Sequence, residues 1–369
     1  MVSAAISSGA LNVPATTAPA AGRLLSLDQF RGYTVAGMLF VNFAGGFAAV
    51  HPIFKHHNTY CSYADTIMPQ FFFAVGFALR LTMLRNREKL GVEAARRRVF
   101  RRIALLLGLG LVIYNLGLLS DLAAAVLRSL AAVSFWRESF QTLVHIAVTS
   151  LWILPVILGS IRARVIFAAG SGVLHLGLSA WFWFDLLQEK RVIDGGPLGF
   201  LTWTLPTIAG SVAHDWVREE TRGHSALRPL LGWGAVLMLC GYALSCFGAG
   251  GHWAAPPFSP PWRTVDFWTM NQRAGSLSYQ TFSAGFSFVV YAVFVWLCDR
   301  RRWQLAVFGI FGANALAAYL LHSVLDAPFS LLRQRDAPLW QAVAVTLAFI
   351  AANAFVVSRL NRRGWFLRL

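Results

Sequence analysis

The chain has 369 residues, 57% of them hydrophobic and only 13% charged, and its apolar residues gather in runs of about 20, the length a helix needs to cross a bilayer. That balance excludes a string of soluble domains and predicts an all-α integral membrane protein, because in lipid each segment must satisfy its own backbone polar groups. The formal charge of +16 sits mainly in the loops between apolar runs, so it reads as topology and not as a nucleic-acid surface.

Residues 1–24 are rich in Ala, Ser, Thr and Pro, with no basic start and no compact apolar run before a cleavage site. They read as a disordered cytoplasmic tail and not as a signal peptide. Residues 25–369 read as a single transmembrane domain, a polytopic bundle of about ten helices, near 30–50, 64–84, 103–120, 141–160, 165–186, 198–216, 229–248, 278–298, 304–324 and 341–359. If alternate loops face opposite sides, 22 of the 32 Lys and Arg fall on the side that carries both termini. The positive-inside rule makes that side cytoplasmic. An integral protein of a bacterial inner membrane, in contact with the lipid bilayer, is the expected setting.

Between the first two spans, a short polar loop holds Lys55, His56, His57, Asn58 and Cys61, and Asp65 begins the second span. Ionisable groups are expensive at membrane depth, so their concentration at one outward helix mouth marks the candidate reaction centre. An imidazole there can act as nucleophile or general base near neutral pH. Asp65 could orient the ring or stabilise its cation, and Asn42 could donate to a developing oxyanion.

Further along, 121–140 reads as an interfacial helix with Trp136. Residues 249–277 are rich in Gly, Pro and aromatics, and their prolines forbid a regular helix, so this loop should lie over the outer face of the bundle. Trp253, Phe258, Trp262, Phe267 and Trp268 read either as a stacking surface for a sugar or as an aromatic belt at the interface. Cys240, Cys246 and Cys298 read as packing residues, and a bridge from Cys61 to Cys246 is conceivable but unsupported. His145 and His175 read as core histidines held by interhelical hydrogen bonds. Asn314 and His322, eight apart, would share one helix face. No metal-ligand cluster, Ser-His-Asp arrangement or phosphate loop is evident, and no internal repeat supports a duplicated transporter.

The run from Ser26 to Gly32, SLDQFRG, then Asn42, Phe54-Lys55-His56, and Ala64-Asp65 with Pro69, Phe71, Phe73 and Gly76 resembles the membrane acetyltransferase family typified by heparan-alpha-glucosaminide N-acetyltransferase. Pro197 to Ile208, NQRAGSLSY and Gly312 to His322 resemble later blocks of the same family, in the same order over about 300 residues. The loop before Asp65 is one residue shorter than the family's and lacks its Trp-Asn-Gly. His56 and His57 therefore both stay open, and the Phe-Lys-His match favours His56. A later block lacks its Lys and Trp, with Arg273 nearby, and the usual Gln-Arg of the fourth span is replaced around Val144 and His145.

The resemblance implies a transmembrane acetyltransferase that takes acetyl-CoA as co-substrate from the cytoplasm, threads its pantetheine arm toward His56, and passes the acetyl group to an amino sugar or glycan outside. The catalytic set would then be His56, His57, Asn42 and Asp65, with no metal. Arginine clusters suit the phosphates of an acyl-CoA donor. The run from Arg85 to Arg102 reads mostly as an anchor on anionic lipid, so Asp28 and Arg31, with Asn314 and His322, form the coenzyme set. Trp262, Trp268 and Arg273 would face the acceptor, and the resemblance implies a homodimer. The rival readings are an O-acyltransferase of a lipid or polysaccharide, and a proton-coupled transporter or flippase with the histidines as relays.

Overall fold

A computed structural model describes residues 24–125, 139–190, 192–220, 224–248 and 253–367, with backbone alone for 116–125, and among these the regular structure is entirely helical. The tail expected at 1–24 lies, up to Arg23, outside the described residues, as does most of the interfacial helix expected at 121–140, including Trp136.

Among the described residues, eleven helices with defined bounds follow in order. The first, α1 (Leu25–Ala44), ends at Gly45, which keeps a helical φ of −58° and ψ of −19° and donates its N–H to the Val41 carbonyl at 3.1 Å. After the polar loop, α2 (Ala64–Leu90) runs to Gly91, whose φ of 81° lets the chain reverse at once into α3 (Val92–Ala125). The basic run from Arg85 to Arg102, expected as a connecting loop, is therefore helical on both sides of Gly91. Its Arg, Lys, Glu and Ala are strong helix formers, and only glycine breaks them.

Next come α4 (Thr142–Ile153), α5 (Ile161–Glu189), α6 (Phe200–Glu220), α7 (Leu227–Ser245) and α8 (Leu277–Arg300). Serines cap two of them: Ser160 accepts from Ala163 N at 3.2 Å and Ser276 from Tyr279 N at 3.4 Å, each satisfying an amide that the first turn leaves open. The chain closes with α9 (Ala306–Ala313), α10 (Ala315–Ser330) and α11 (Leu339–Arg362). The expected straight span at 304–324 is instead a pair of helices bent by 97°, because Asn314 between them leaves the helical region (φ −140°, ψ 51°).

Among the described residues, five helices, α2, α5, α7, α8 and α11, are long and apolar enough to cross a membrane, and a sixth span arises if α9 and α10 count as one. This is the pattern of an integral membrane protein. The windows that define α8 and α2 are 67% and 56% buried against 17% and 22% for α7 and α11, so the first two are central and the last two peripheral. Leu231, Val236 and Leu239 of α7 and Leu347 and Phe355 of α11 are exposed, a surface suited to lipid.

Close backbone contacts set the arrangement. A Cβ on Gly76 would lie 1.7 Å from the Thr207 carbonyl oxygen, and one on Gly210 1.8 Å from that of Phe73, so α2 and α6 approach as only small residues allow. About one turn further along α2 and α6, Asp215 accepts from Arg80 at 3.0 and 3.1 Å, from His214 at 2.9 Å, and from Arg164 of α5. Arg80 and Arg164 are buried, and this clamp ties three helices by charge where the glycines tie two by contact.

Candidate active site

Asn42 stands in the last turn of α1. The chain then turns through a short 3-10 segment, Pro52–Phe54, started by His51, whose Nδ1 accepts from Ile53 N at 3.2 Å. That turn delivers Lys55, His56 and His57 back over the end of α1, and a second 3-10 turn at Ala64–Thr66 places Asp65 at the mouth of α2.

The His56 ring bridges the two helix ends. Nδ1 lies 2.8 Å from Asp65 Oδ1, and Nε2 lies 3.1 Å from Asn42 Oδ1. Asp65 is wholly buried while the His56 side chain is 45% exposed, so the ring has one sheltered side and one open side. The other carboxylate oxygen accepts from Ser62 N at 2.8 Å and Ser62 Oγ at 3.0 Å, and the Asp65 carbonyl accepts from Tyr279 Oη at 2.7 Å. The carboxylate is thus fixed before it meets the imidazole.

Burial alone would lower the basicity of His56. The hydrogen bond and charge of Asp65, then the charge of Asp194 and a hydrogen bond with Gln272, outweigh it and raise the pKa above its ordinary value. With both ring nitrogens protonated, each donates to the oxygen facing it. When Nε2 loses its proton, the Asn42 amide must turn to offer Nδ2 instead.

His57 is engaged differently. Its Nε2 donates to the Pro52 carbonyl at 2.9 Å and its ring stacks on Tyr60, with centroids 4.2 Å apart and planes at 21°. It braces the loop, and Lys55 likewise turns to the Ala48 carbonyl at 3.2 Å.

Two other loops close on this one. Phe258 N donates to the Cys61 carbonyl at 3.1 Å, and Asn271 Nδ2 donates to the Asn58 carbonyl, so the proline-rich segment does lie against the His56 loop. All four cysteines are free. Gln272 Nε2 donates to Asp194 Oδ1 at 2.8 Å, and burial pushes the Asp194 carboxyl up to about 6. The sequence reading missed Asp194 and Gln272. An Asp before two glycines has the look of a turn, and nothing local signals that 78 residues later an amide meets it.

The remaining expected residues lie apart from the ring. Arg31 and Asn42 are eleven residues apart, about three turns, and so occupy one face of α1 roughly 17 Å apart. Close contacts of Gly32 with Phe308 and of Gly312 with Asp28 set α9 against the Asp28–Arg31 end. Asn314 lies in the adjoining break, where its Nδ2 donates to the Trp365 carbonyl at 2.8 Å and its Oδ1 accepts from Leu367 N at 3.1 Å. Both sides of this amide serve the C-terminal segment. His322 turns Nδ1 to the Tyr319 carbonyl, while Tyr319 and Tyr114 share a hydroxyl hydrogen bond at 2.7 Å.

On the acceptor set, Trp262 is exposed and donates to the Trp253 carbonyl at 3.0 Å, Trp268 packs on Phe247 and Phe267, and Arg273 binds the carbonyls of Leu187, Gln188 and Lys190 at 3.0, 3.3 and 3.1 Å. Arg273 closes the end of α5, and its neighbour Gln272 reaches Asp194 instead. The interhelical partners expected for His145 and His175 are also missing: His175 meets Ser179 of its own helix at 3.4 Å, and Nε2 of both rings has no partner among the described residues. Among the described residues, no three His, Cys, Asp or Glu converge as metal ligands. Compared with known families and with curated proteins, the sequence matches none. The likeness to the acetyltransferase family thus rests on the residues that carry it.

Proposed function

We propose that this chain is a transmembrane acetyltransferase of about ten spans, with both termini cytoplasmic, in a bacterial inner membrane. It moves the acetyl group of cytosolic acetyl-CoA to an amino sugar or glycan on the outer side. The observation that carries this reading is the His56 ring, held between Asp65 and Asn42 at the mouth of an apolar bundle with one side open. All ten stretches read as spans contain a helix or the bent pair. Pairing into a homodimer belongs to the same reading.

The chemistry asks for a base or a nucleophile, a group to hold the ring and a donor for the oxyanion. As base, His56 Nε2 takes the proton of the acceptor amine as its nitrogen attacks the thioester carbonyl; the C–N bond forms, the C–S bond breaks, and the proton passes to the departing sulfur. As nucleophile, neutral Nε2 attacks the carbonyl itself, so that the N–C bond forms, the C–S bond breaks and the CoA thiolate leaves; the acceptor amine then takes the acetyl group from the ring, and its proton passes through the freed imidazole to the thiolate. In both routes Asp65 holds Nδ1–H and balances the imidazolium, and Asn42 Nδ2, once turned, donates to the oxyanion. A hydroxyl of a lipid or polysaccharide could stand where the amine does, which is the O-acyltransferase form.

Purified protein incubated with radiolabelled acetyl-CoA and glucosamine tests the reading: labelled acetyl-glucosamine is expected, and its absence with every amine and hydroxyl acceptor offered would overturn it. Label trapped on His56 without acceptor selects the nucleophile route. The bent α9–α10 pair favours one other reading, a proton-coupled transporter or flippase, since broken helices line solute paths in such proteins. That reading predicts solute flux in proteoliposomes with no acyl donor present.

A further inference from the structure

The run from Arg85 to Arg102 is a second concentration of charge, and the folded chain sorts it. On α3, Ala95, Val99 and Ile103 are buried. At about 100° per residue, Arg97, Arg98, Arg101, Leu105, Gly108 and Val112 fall within about a third of the helix circumference on the opposite side, and all six are exposed. One stripe is therefore basic over its first turns and apolar over the next.

The basic end is concave. With residues 90–94 at the Gly91 corner, Arg97, Arg98 and Arg101 line a cavity of about 680 Å³, room enough for a phosphate headgroup. Glu93 is the one carboxylate in that lining, so three guanidinium groups outnumber it, and the first turn of α3 turns its positive dipole end to the same place. None of the three arginines has a hydrogen-bond or ion-pair partner among the described residues, whereas Arg218 pairs with Glu88 at 3.7 Å and Arg300 with Glu220 at 2.6 Å, and Arg359 and Arg363 lie over the rings of Phe355 and Trp365. The apolar end carries a gap. A Cβ added to Gly108 would meet nothing within 4 Å, between an exposed Leu105 and an exposed Val112. From Arg101 to Val112 the helix rises about 16 Å, roughly half of a 30 Å hydrocarbon core and so the depth of one leaflet.

We propose that this stripe of α3 binds one anionic phospholipid, its phosphate held by Arg97, Arg98 and Arg101 and its acyl chains laid along Leu105, Gly108 and Val112. Basic loops alone attract an anionic membrane surface without fixing any one lipid. Here the guanidinium groups stand on one face, unpaired, directly above an apolar gap, so headgroup and chains are placed together. Planar guanidinium forks bind phosphate oxygens in pairs, which a solvated layer of lysines would not do. A water-soluble phosphate compound shares the headgroup chemistry but has nothing to lay along the apolar end, and for that reason the stripe fits a lipid better than a coenzyme. The inference rests on the membrane topology of the acyltransferase reading and on none of its chemistry.

Delipidated full-length protein in detergent is titrated with phosphatidylglycerol or phosphatidylcholine, and native mass spectrometry follows the lipid that stays bound. The wild type should hold one phosphatidylglycerol at least about tenfold more tightly than phosphatidylcholine, since each basic group beside an anionic headgroup contributes roughly fivefold. The triple variant Arg97→Gln, Arg98→Gln, Arg101→Gln should lose most of that preference. Arg162→Gln with Arg228→Gln and Arg362→Gln removes the same charge from exposed positions on the same side and should keep it. Gly108→Leu keeps every charge, favours the helix and should weaken phosphatidylglycerol binding severalfold by filling the gap. Equal losses in the two triple variants would reduce the site to diffuse charge and overturn the inference. Full binding in Gly108→Leu overturns it too, as does displacement of the lipid by an equal concentration of acetyl-CoA, which would give the arginines to the coenzyme. If the Arg97–Arg98–Arg101 variant fails to fold, the wild-type preference and Gly108→Leu decide the matter. No acyl transfer is measured, so a wild-type protein inactive in acetyl transfer would sink the enzymatic reading and leave this one standing.

Discussion

His56 Nδ1 and Asp65 Oδ1 lie 2.8 Å apart across a step from half exposure to complete burial. The sheltered carboxylate holds one ring nitrogen, and the other nitrogen is left at the open side beside Asn42. If Nε2 is the working atom, His56→Gln should lower acetyl transfer by about a hundred- to ten-thousand-fold, the usual worth of a positioned base. His57→Ala should lower it far less, since His57 braces the loop through the Pro52 carbonyl. Initial rates of both variants decide between the two histidines, and equal losses would contradict the geometry.

The same pair sets a pH dependence with a definite sign. His56 stands above its ordinary value, so at low pH Nε2 carries a proton and can neither accept one nor attack. Activity should therefore rise with pH, with a midpoint above about 6.5, the value of a free imidazole. Asp65→Asn removes the negative charge that holds the proton on the ring, and its midpoint should fall below the wild-type value even as its maximal rate drops. A rate profile flat from pH 5 to pH 8 in the wild type would sink this.

What could be read from the sequence divides by contact distance along the chain. Asn42, His56 and Asp65 lie within 24 residues, their residue types are rare at a helix mouth, and the structure joins them. The apolar runs gave the helices for the same local reason. The break at Asn314, the helical hairpin around Gly91 and the Asp194–Gln272 pair were not legible. Asn314 is held by Trp365 and Leu367, beyond reach of any window on α10. Gly91 sits among strong helix formers whose charge suggested a loop. Asp194 gains its meaning only when Gln272 arrives from another loop.

Asp194 also makes a prediction for stability. A carboxyl that stands at about 6 in the folded protein and at 3.8 when free favours folding least where both states are ionised. Its cost is absent below about pH 4, grows as pH rises toward 6, and is constant above that, with an upper bound of roughly 3 kcal/mol from two pKa units. Asp194→Asn keeps a side chain that tolerates the left-handed backbone and removes the charge. Its melting temperature in detergent should gain on the wild type as pH rises from 4 to 7, and a difference independent of pH would mean that the carboxylate is not ionised against its surroundings.

The clamp about one turn along α2 and α6 from their glycine contact gives the strongest stability effect expected here. Among the described residues, Asp215 is the one carboxylate bonded to Arg80 and Arg164, and Arg164 is fully buried. Removing one partner of a buried pair leaves the other charge uncompensated and costs about 3–5 kcal/mol, and here two guanidinium groups lose the same partner. Asp215→Asn should therefore lower the melting temperature at neutral pH more than Arg300→Gln does, because the Arg300–Glu220 pair is partly exposed, at 41% and 24%, and solvent-screened pairs contribute about 1 kcal/mol or less. The double variant Arg164→Leu with Asp215→Asn removes one charge of each sign and should recover part of the loss. A double variant no more stable than Asp215→Asn would show that the clamp acts through shape and not through charge.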